Sequence, residues 1–274
     1  VNRVCTSKQQ ERAFHAYHEF CVAKSNVSTE YDYDPVPRPD GIGLFYERIV
    51  TPDKGPISVG LGDTEFPAYW DRVTLNGTIS PNMRPEAVIP MQYATFDQHM
   101  RNLSQIRRSL KKGDRIVQHG WMTANILQEY DSHFQTNGNP ATQSYFIRDA
   151  YESHVRHWNP EIAEEHVPRI AYLLFKHTVE FAKLGDSRML LTCVNGIPVG
   201  VSLFQYCASY DEFHWINTIR LHDEYSQELR VGNNIICYAL KHCYEQNYTR
   251  LNMGLAHFEY KKVWKPTFTE RPCL

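Results

Sequence analysis

The chain has 274 residues, 42% of them apolar and 13% aromatic, with 29 Lys and Arg against 31 Asp and Glu for a net charge of −2. That is enough apolar material for a large core, which excludes a disordered polymer; the near-neutral charge excludes a protein coated for nucleic acid. No apolar run reaches the ~18 residues of a membrane helix and no apolar segment follows a basic start, so a cytoplasmic protein without a membrane anchor is expected.

Seven cysteines are scattered, with no CxxC among them. They read as reduced core thiols, not as a disulfide framework or a zinc site. Cys207 and Cys237 lie in apolar stretches, where a thiol keeps a high pKa and is a poor nucleophile. The thirteen histidines form no HExxH spacing, so no metal is expected.

In chain order, the spacing of Phe14, Tyr17, Cys21 and Val22 predicts a helix over 8–24. Nine of the fifteen prolines fall between residues 30 and 90, which predicts extended arms, loops and short strands, among them 43–50, 57–61 and 87–91. The aromatic residues of that region (Tyr31, Tyr33, Phe45, Tyr46, Tyr69, Trp70) suit a pocket wall. Phe96, Met100, Leu103, Ile106 and Leu110 define one amphipathic helix ending near Gly113, with Arg101, Arg107, Arg108, Lys111 and Lys112 on its polar face. A short strand over 114–117 follows, then helical patterning over 121–134 and 145–158. Asn159-Pro160-Glu161 reads as a helix start, the helix running to Lys183 with a kink at Pro168. Asn195-Gly196 between two apolar runs is a strong hairpin signal, and with 213–221 it predicts a three-stranded antiparallel meander over 188–221. A helix over 232–246, a strand over 250–253 and a short helical turn within 257–264 complete the pattern.

The order of these elements concentrates the chemistry near residue 230. Leu229-Arg-Val-Gly-Asn-Asn-Ile-Ile236 is a turn that opens a helix. Backbone N–H groups at a helix start favour anions, Gly232 lets a phosphate approach closely, and Arg230 adds a charged donor. In this context the chain resembles the GNAT superfamily of acyltransferases, whose pyrophosphate loop has an Arg or Gln, then Gly, then a small residue. Arg230, Gly232 and Asn234 match a shortened version of it, with Asn234 in place of the small residue.

Three further stretches are similar to the Fem-type and polysaccharide-pathway branch: the basic helix Phe96–Lys112, the hairpin Val194–Val201, and the closing motif Leu251-Asn-Met-Gly254 followed by Tyr260-Lys-Lys-Val-Trp264. Together they cover residues 93–266. The resemblance implies an α/β (α+β) fold, a largely antiparallel GNAT-like sheet flanked by helices, behind a Pro-rich N-terminal region at 1–92.

It also implies an enzyme, an N-acyltransferase that uses acetyl-CoA or another acyl-CoA as co-substrate. An amine of a small molecule or amino acid attacks the acyl group directly. Thr218, Ile219 and Arg220 would line the donor arm, and Arg230, Val231, Gly232, Asn233 and Asn234 its phosphates. Lys261 would stabilise the oxyanion and Tyr260 protonate the leaving thiolate, with Glu224 (beside Asp223) or His257 as base. Two alternatives stand beside this reading: an aminoacyl-tRNA or carrier-protein donor with peptide-bond formation, or a non-catalytic binding module. Acceptor and oligomeric state stay open.

Overall fold

The computed structural model describes residues 8–27, 32–37, 45–51, 55–60, 82–113, 116–135, 146–185, 187–208, 211–255 and 259–273. The first helix, α1 (Lys8–Ser25), is followed by a three-stranded antiparallel sheet of β1 (Asp32–Pro37), β2 (Phe45–Thr51) and β3 (Gly55–Gly60). The second sheet has seven strands. In chain order they are β4 (Asn82–Pro90), β5 (Val117–Met122), β6 (Ser187–Val194), β7 (Ile197–Cys207), β8 (Glu212–Arg220), β9 (Arg250–Leu255) and β10 (Thr267–Cys273). In space they run β10-β4-β9-β8-β7-β6-β5, and every pairing is antiparallel except β8 with β9.

Helices cover both faces of this sheet, because successive strand residues point to opposite sides. Met189 and Leu203 enter a core shared with α1, α6 (Phe146–Trp158) and α7 (Val167–Ala182); their neighbours Leu190 and Phe204 enter a second core. That second core is shared with α2 (Phe96–Asn102), α3 (Ser104–Leu110) and α9 (Val231–Gln246). The short helices α4 (Ala124–Glu129), α5 (Ser132–Gln135), α8 (Glu224–Glu228) and α10 (Glu259–Lys262) complete the described elements. The mixed α+β, GNAT-like form expected from the sequence is therefore the one observed. No helix among the described residues is long and apolar enough to cross a membrane.

Several boundaries differ from the sequence reading, each for a local reason. The basic helix is two helices, broken at Leu103 (φ −108°, ψ 53°). The Asn102 side chain donates back to the Gln98 carbonyl and Leu103 N–H tightens onto Met100, which ends the first helix while Leu103 stays in the core. Of the strand expected over 114–117, residues 114 and 115 lie outside the described residues; the strand observed is Val117–Met122, and Trp121 and Met122 belong to it rather than to a helix.

The segment 159–166 is a run of turns. The Asn159 amide donates to the Val155 carbonyl and closes α6, instead of capping a following helix. Pro168 therefore kinks nothing; it sits in the first turn of α7, where its missing N–H has no helical partner to lose. β10 is absent from the sequence reading, and it pairs along its whole length with β4. The boundary expected near residue 92 falls just after β4, a strand internal to the seven-stranded sheet, while α1 packs on α7.

Candidate functional site between two diverging strands

Strands β8 and β9 pair over three positions only, Glu212 with Arg250, Phe213 with Leu251 and His214 with Asn252. Against β7 the register of β8 then skips Ile216, with Phe204 opposite Trp215 and Leu203 opposite Asn217. This bulge bends β8 and sharpens its twist. On β9, Gly254 takes a left-handed conformation (φ 70°), held by its N–H on Asn252 Oδ1 at 2.7 Å. The two strands part beyond these points, leaving the β9-facing edge of β8 unpaired with β9 from Trp215 to Arg220. An ideal Cβ on Gly254 would lie 3.9 Å from both the Trp215 carbonyl oxygen and Lys261 Nζ, so these three groups meet across the gap.

The N-terminus of α9 is joined to the segment 261–264, whose Lys261 reaches the gap. Asp223 caps α8 through its Oδ1, 2.7 Å from Ser226 N. Arg230 then adopts a left-handed conformation (φ 56°, ψ 42°), uncommon for a residue with a Cβ, and turns the chain into α9 with no side-chain cap. The N–H groups of Val231, Gly232 and Asn233 have no carbonyl one turn earlier to bond. They carry the positive end of a 16-residue helix. A Cβ added at Gly232 would meet nothing within 4 Å. The Asn234 amide is turned back, donating to the carbonyls of Leu229 and Arg230 at 3.1 and 3.2 Å, and thus fastens the turn.

The motifs separated in the sequence converge here. Gly113 sits against the turn: a Cβ on it would come within 2.9 Å of Asn234 Nδ2 and 3.1 Å of the Leu229 carbonyl oxygen. Exposed Lys111 and Lys112 precede this contact, and Lys112 Nζ lies 3.5 Å from Glu228 Oε1, two residues before Arg230. Trp264, fully buried, donates from Nε1 to Asn233 Oδ1 at 3.4 Å, which ties the closing motif to the first turn of α9. Lys265 Nζ donates to the Asn102 carbonyl and fixes the same segment to α2.

Other expected residues are placed as follows. Lys261 is buried, its ammonium 5.8 Å from the centre of the exposed Tyr260 ring. Glu224 is exposed in the first turn of α8. The Thr218 hydroxyl contacts Ser202 Oγ and accepts from Trp215 Nε1, and Ile219 is fully buried in the core under α6 and α7. Arg220 stands at the end of β8, and its guanidinium donates to the Leu221 carbonyl. His257 lies outside the described residues, as do Tyr31, Tyr69 and Trp70; Tyr33, Phe45 and Tyr46 fall on β1 and β2.

One cluster has no counterpart in the sequence reading. Asn252 Nδ2 donates to Glu86 Oε2 at 2.7 Å and lies 3.3 Å from Glu212 Oε2; His214 Nε2 lies 2.9 Å from Glu212 Oε2, and Arg250 pairs with Glu212 Oε1 at 3.3 Å. Glu86, Glu212, His214 and Asn252 are all buried, at the closed end of the gap. The only sequence signal is polar residues at alternate positions of apolar strands, Glu212 with His214 and Arg250 with Asn252. No group of three or more His, Cys, Asp or Glu among the described residues is arranged to hold a metal ion.

Two parallel strands that start as a pair and then part, within an otherwise antiparallel sheet, give the sheet its GNAT-like form. No protein-family model matches the chain, and no curated protein matches it. Among solved structures it is similar to the C-terminal domain assigned to a lysylphosphatidylglycerol synthetase of Agrobacterium fabrum, at 11% identity and a TM-score of 0.49, over 97% of this chain and 91% of that one. It is similar to FemX at 10% identity and a TM-score of 0.45, over 97% and 95% of the two chains. A GCN5-related N-acetyltransferase from Kribbella flavida follows at 10% identity and a TM-score of 0.31, over 70% and 56%. Each TM-score is below 0.5, so these are distant likenesses, and the fold rests on the strand order of the chain itself.

Proposed function

We propose that this chain is an acyltransferase that moves an acyl group from a CoA thioester to an amine by direct attack. The observation that carries the reading is the parting of β8 from β9 after three paired residues, with the uncapped N-terminus of α9 joined through Asn233 and Trp264 to the segment whose Lys261 reaches Gly254. An extended donor arm pairs with the backbone edge of β8 from Asn217 to Arg220. Its phosphates sit on the N–H groups of Val231, Gly232 and Asn233, with Arg230, Lys111 and Lys112 supplying charge-assisted donors.

The acyl carbonyl then lies near Gly254. There the Lys261 ammonium, held in a site of low dielectric, stabilises the oxyanion. The amine nitrogen bonds to the carbonyl carbon and the C–S bond breaks. Tyr260 gives its proton to the departing thiolate, and the amine proton passes to a carboxylate. Glu212 and Glu86 are one residue from Gly254 through Asn252 and serve that role better than exposed Glu224. The protein supplies proximity and charge; no covalent enzyme intermediate is needed.

Thermal unfolding with and without CoA and acetyl-CoA tests the reading, in wild type and Gly232→Asp. A ligand at about 100 times its dissociation constant adds ~2.7 kcal/mol of stability. A shift in wild type that is lost in Gly232→Asp supports the donor position, and no shift in a folded wild type refutes CoA as donor. One observation favours a second donor, aminoacyl-tRNA: Arg101, Arg107, Arg108, Lys111 and Lys112 are all exposed on α2, α3 and the turn after them. Charged tRNA would then bind with a steep salt dependence that weakens when these residues are neutralised.

A further inference from the structure

A second cluster lies at the open end of the gap, at the end of β8. His154 and His157 of α6 meet His222, which follows β8. The His157 and His222 rings stack at 3.8 Å and 12°, and the His154 and His222 rings are 5.7 Å apart. Ser153 Oγ accepts the His222 backbone N–H at 2.9 Å and fixes the loop to α6. His154 Nδ1 and His222 Nε2 are buried with no hydrogen-bond partner. Each is a buried polar atom open to a ligand partner.

Charge enters the cluster from β8. Arg220 reaches it from that strand and forms no ion pair among the described residues; its guanidinium donates to the Leu221 carbonyl. Its Cβ is admitted by Gly200 opposite, where any side chain would come within 2.8 Å of the Arg220 Cβ. Buried Lys24 faces His154 from α1, and Asp223 and Tyr260 are the groups whose negative forms face Arg220. Asp223 is already committed to capping α8. Burial, reinforced by Arg220, pushes His222 down to about 2 and His154 to about 3, and holds His157 below its ordinary value. The three rings are therefore neutral at pH 7 and contribute N–H donors without adding charge.

We propose that Arg220, His154 and His222 form a subsite for a phosphate group of the acceptor, reached when the exposed ring of His157 swings off His222. The Arg220 guanidinium pairs more strongly with a dianionic monoester than with a monoanionic carboxylate. Donors converging from α6, β8 and the loop after it suit a tetrahedral ligand. The assignment of the phosphate to the acceptor rests on the transferase reading; the phosphate site itself does not.

Inorganic phosphate, titrated into the full chain at constant ionic strength, is the probe, read by ring NMR signals of His154, His157 and His222. The expected result is a saturable shift of all three rings and a rise of His157's pKa by about one unit, with glycerol 3-phosphate acting alike. Acetate and dimethyl phosphate bind at least tenfold more weakly, as does phosphate to Arg220→Gln. Gly232→Asp, which disables the α9 turn, leaves the response intact. Equal binding of acetate or of the diester, or full binding to Arg220→Gln, overturns the proposal; so does loss of the response in Gly232→Asp, which would put the phosphate at α9. If Arg220→Gln does not fold, the wild-type ring shifts with phosphate against acetate decide the matter. A chain that ignores CoA and charged tRNA yet shows these shifts loses the transferase reading and keeps the phosphate site.

Discussion

Lowering the pH from 7 to 5 will destabilise this protein steeply, through histidines that folding buries in neutral form. His177 of α7 faces α1, its ring 4.8 Å from that of Tyr17, and burial pushes it down to about 4 against an ordinary 6.5; a backbone hydrogen bond at Ala13 opposes part of the shift. His154 is pushed down to about 3, mainly by burial. In the unfolded chain both take up a proton as pH falls through 6.5, and in the folded chain they do not. The unfolded state then binds more protons, so stability falls with pH from about 6.5 down to each folded value. At pH 5 each group has cost about 2 kcal/mol relative to pH 7, together about 4 kcal/mol of a total of roughly 5–15. Urea unfolding at pH 7, 6 and 5 reads the loss directly. In His154→Gln/His177→Gln the difference between pH 7 and pH 5 should shrink by about 4 kcal/mol, whatever the variant's stability at pH 7. An unchanged difference would refute the assignment of the loss to these two side chains.

Other consequences are simpler to state. Gly200→Ala places a methyl 2.8 Å from Arg220 Cβ and the Ile219 carbonyl oxygen, and should cost about 1–3 kcal/mol in thermal or urea unfolding. Gly232→Ala meets no neighbour and should be neutral or stabilising by up to ~1 kcal/mol, while lowering donor affinity in the CoA binding assay. Asn252→Ala leaves Glu86 and Glu212 buried without their shared donor, and should cost about 3 kcal/mol in chemical denaturation. Lys112→Ala removes an ion pair about two-thirds exposed on both sides; a stability change above ~1 kcal/mol would contradict its surface character.

What the sequence made legible follows from range. The hairpin at Asn195-Gly196 needs only two residues with positive φ (51° and 78°), and both are present. Helix α9 shows its apolar period within its own 16 residues. The break at Leu103 was hidden because Leu103 keeps the helical spacing of buried positions on both sides of it. Asn159-Pro160 resembles a helix start, yet the Asn159 amide bonds backward to α6, a choice decided by packing. The site divides the same way. Arg230 to Asn234 was visible as a turn before a helix. The Glu86–Asn252–Glu212 network was not, since Asn252 joins residues 166 and 40 positions away and no local pattern announces a shared donor.

The packing of α1 on α7 has a consequence for synthesis. Lys176 bonds Glu19 across 157 positions, and Gln9 bonds Glu180 across 171. At roughly 5–20 residues per second, α1 leaves the ribosome about 8–34 s before the helix that covers it. For that interval Tyr17, Phe20 and Cys21, all buried in the finished fold, have no native surface to meet. Docking of α1 is thus set by the arrival of residues 167–182 rather than by its own helix formation, which takes microseconds.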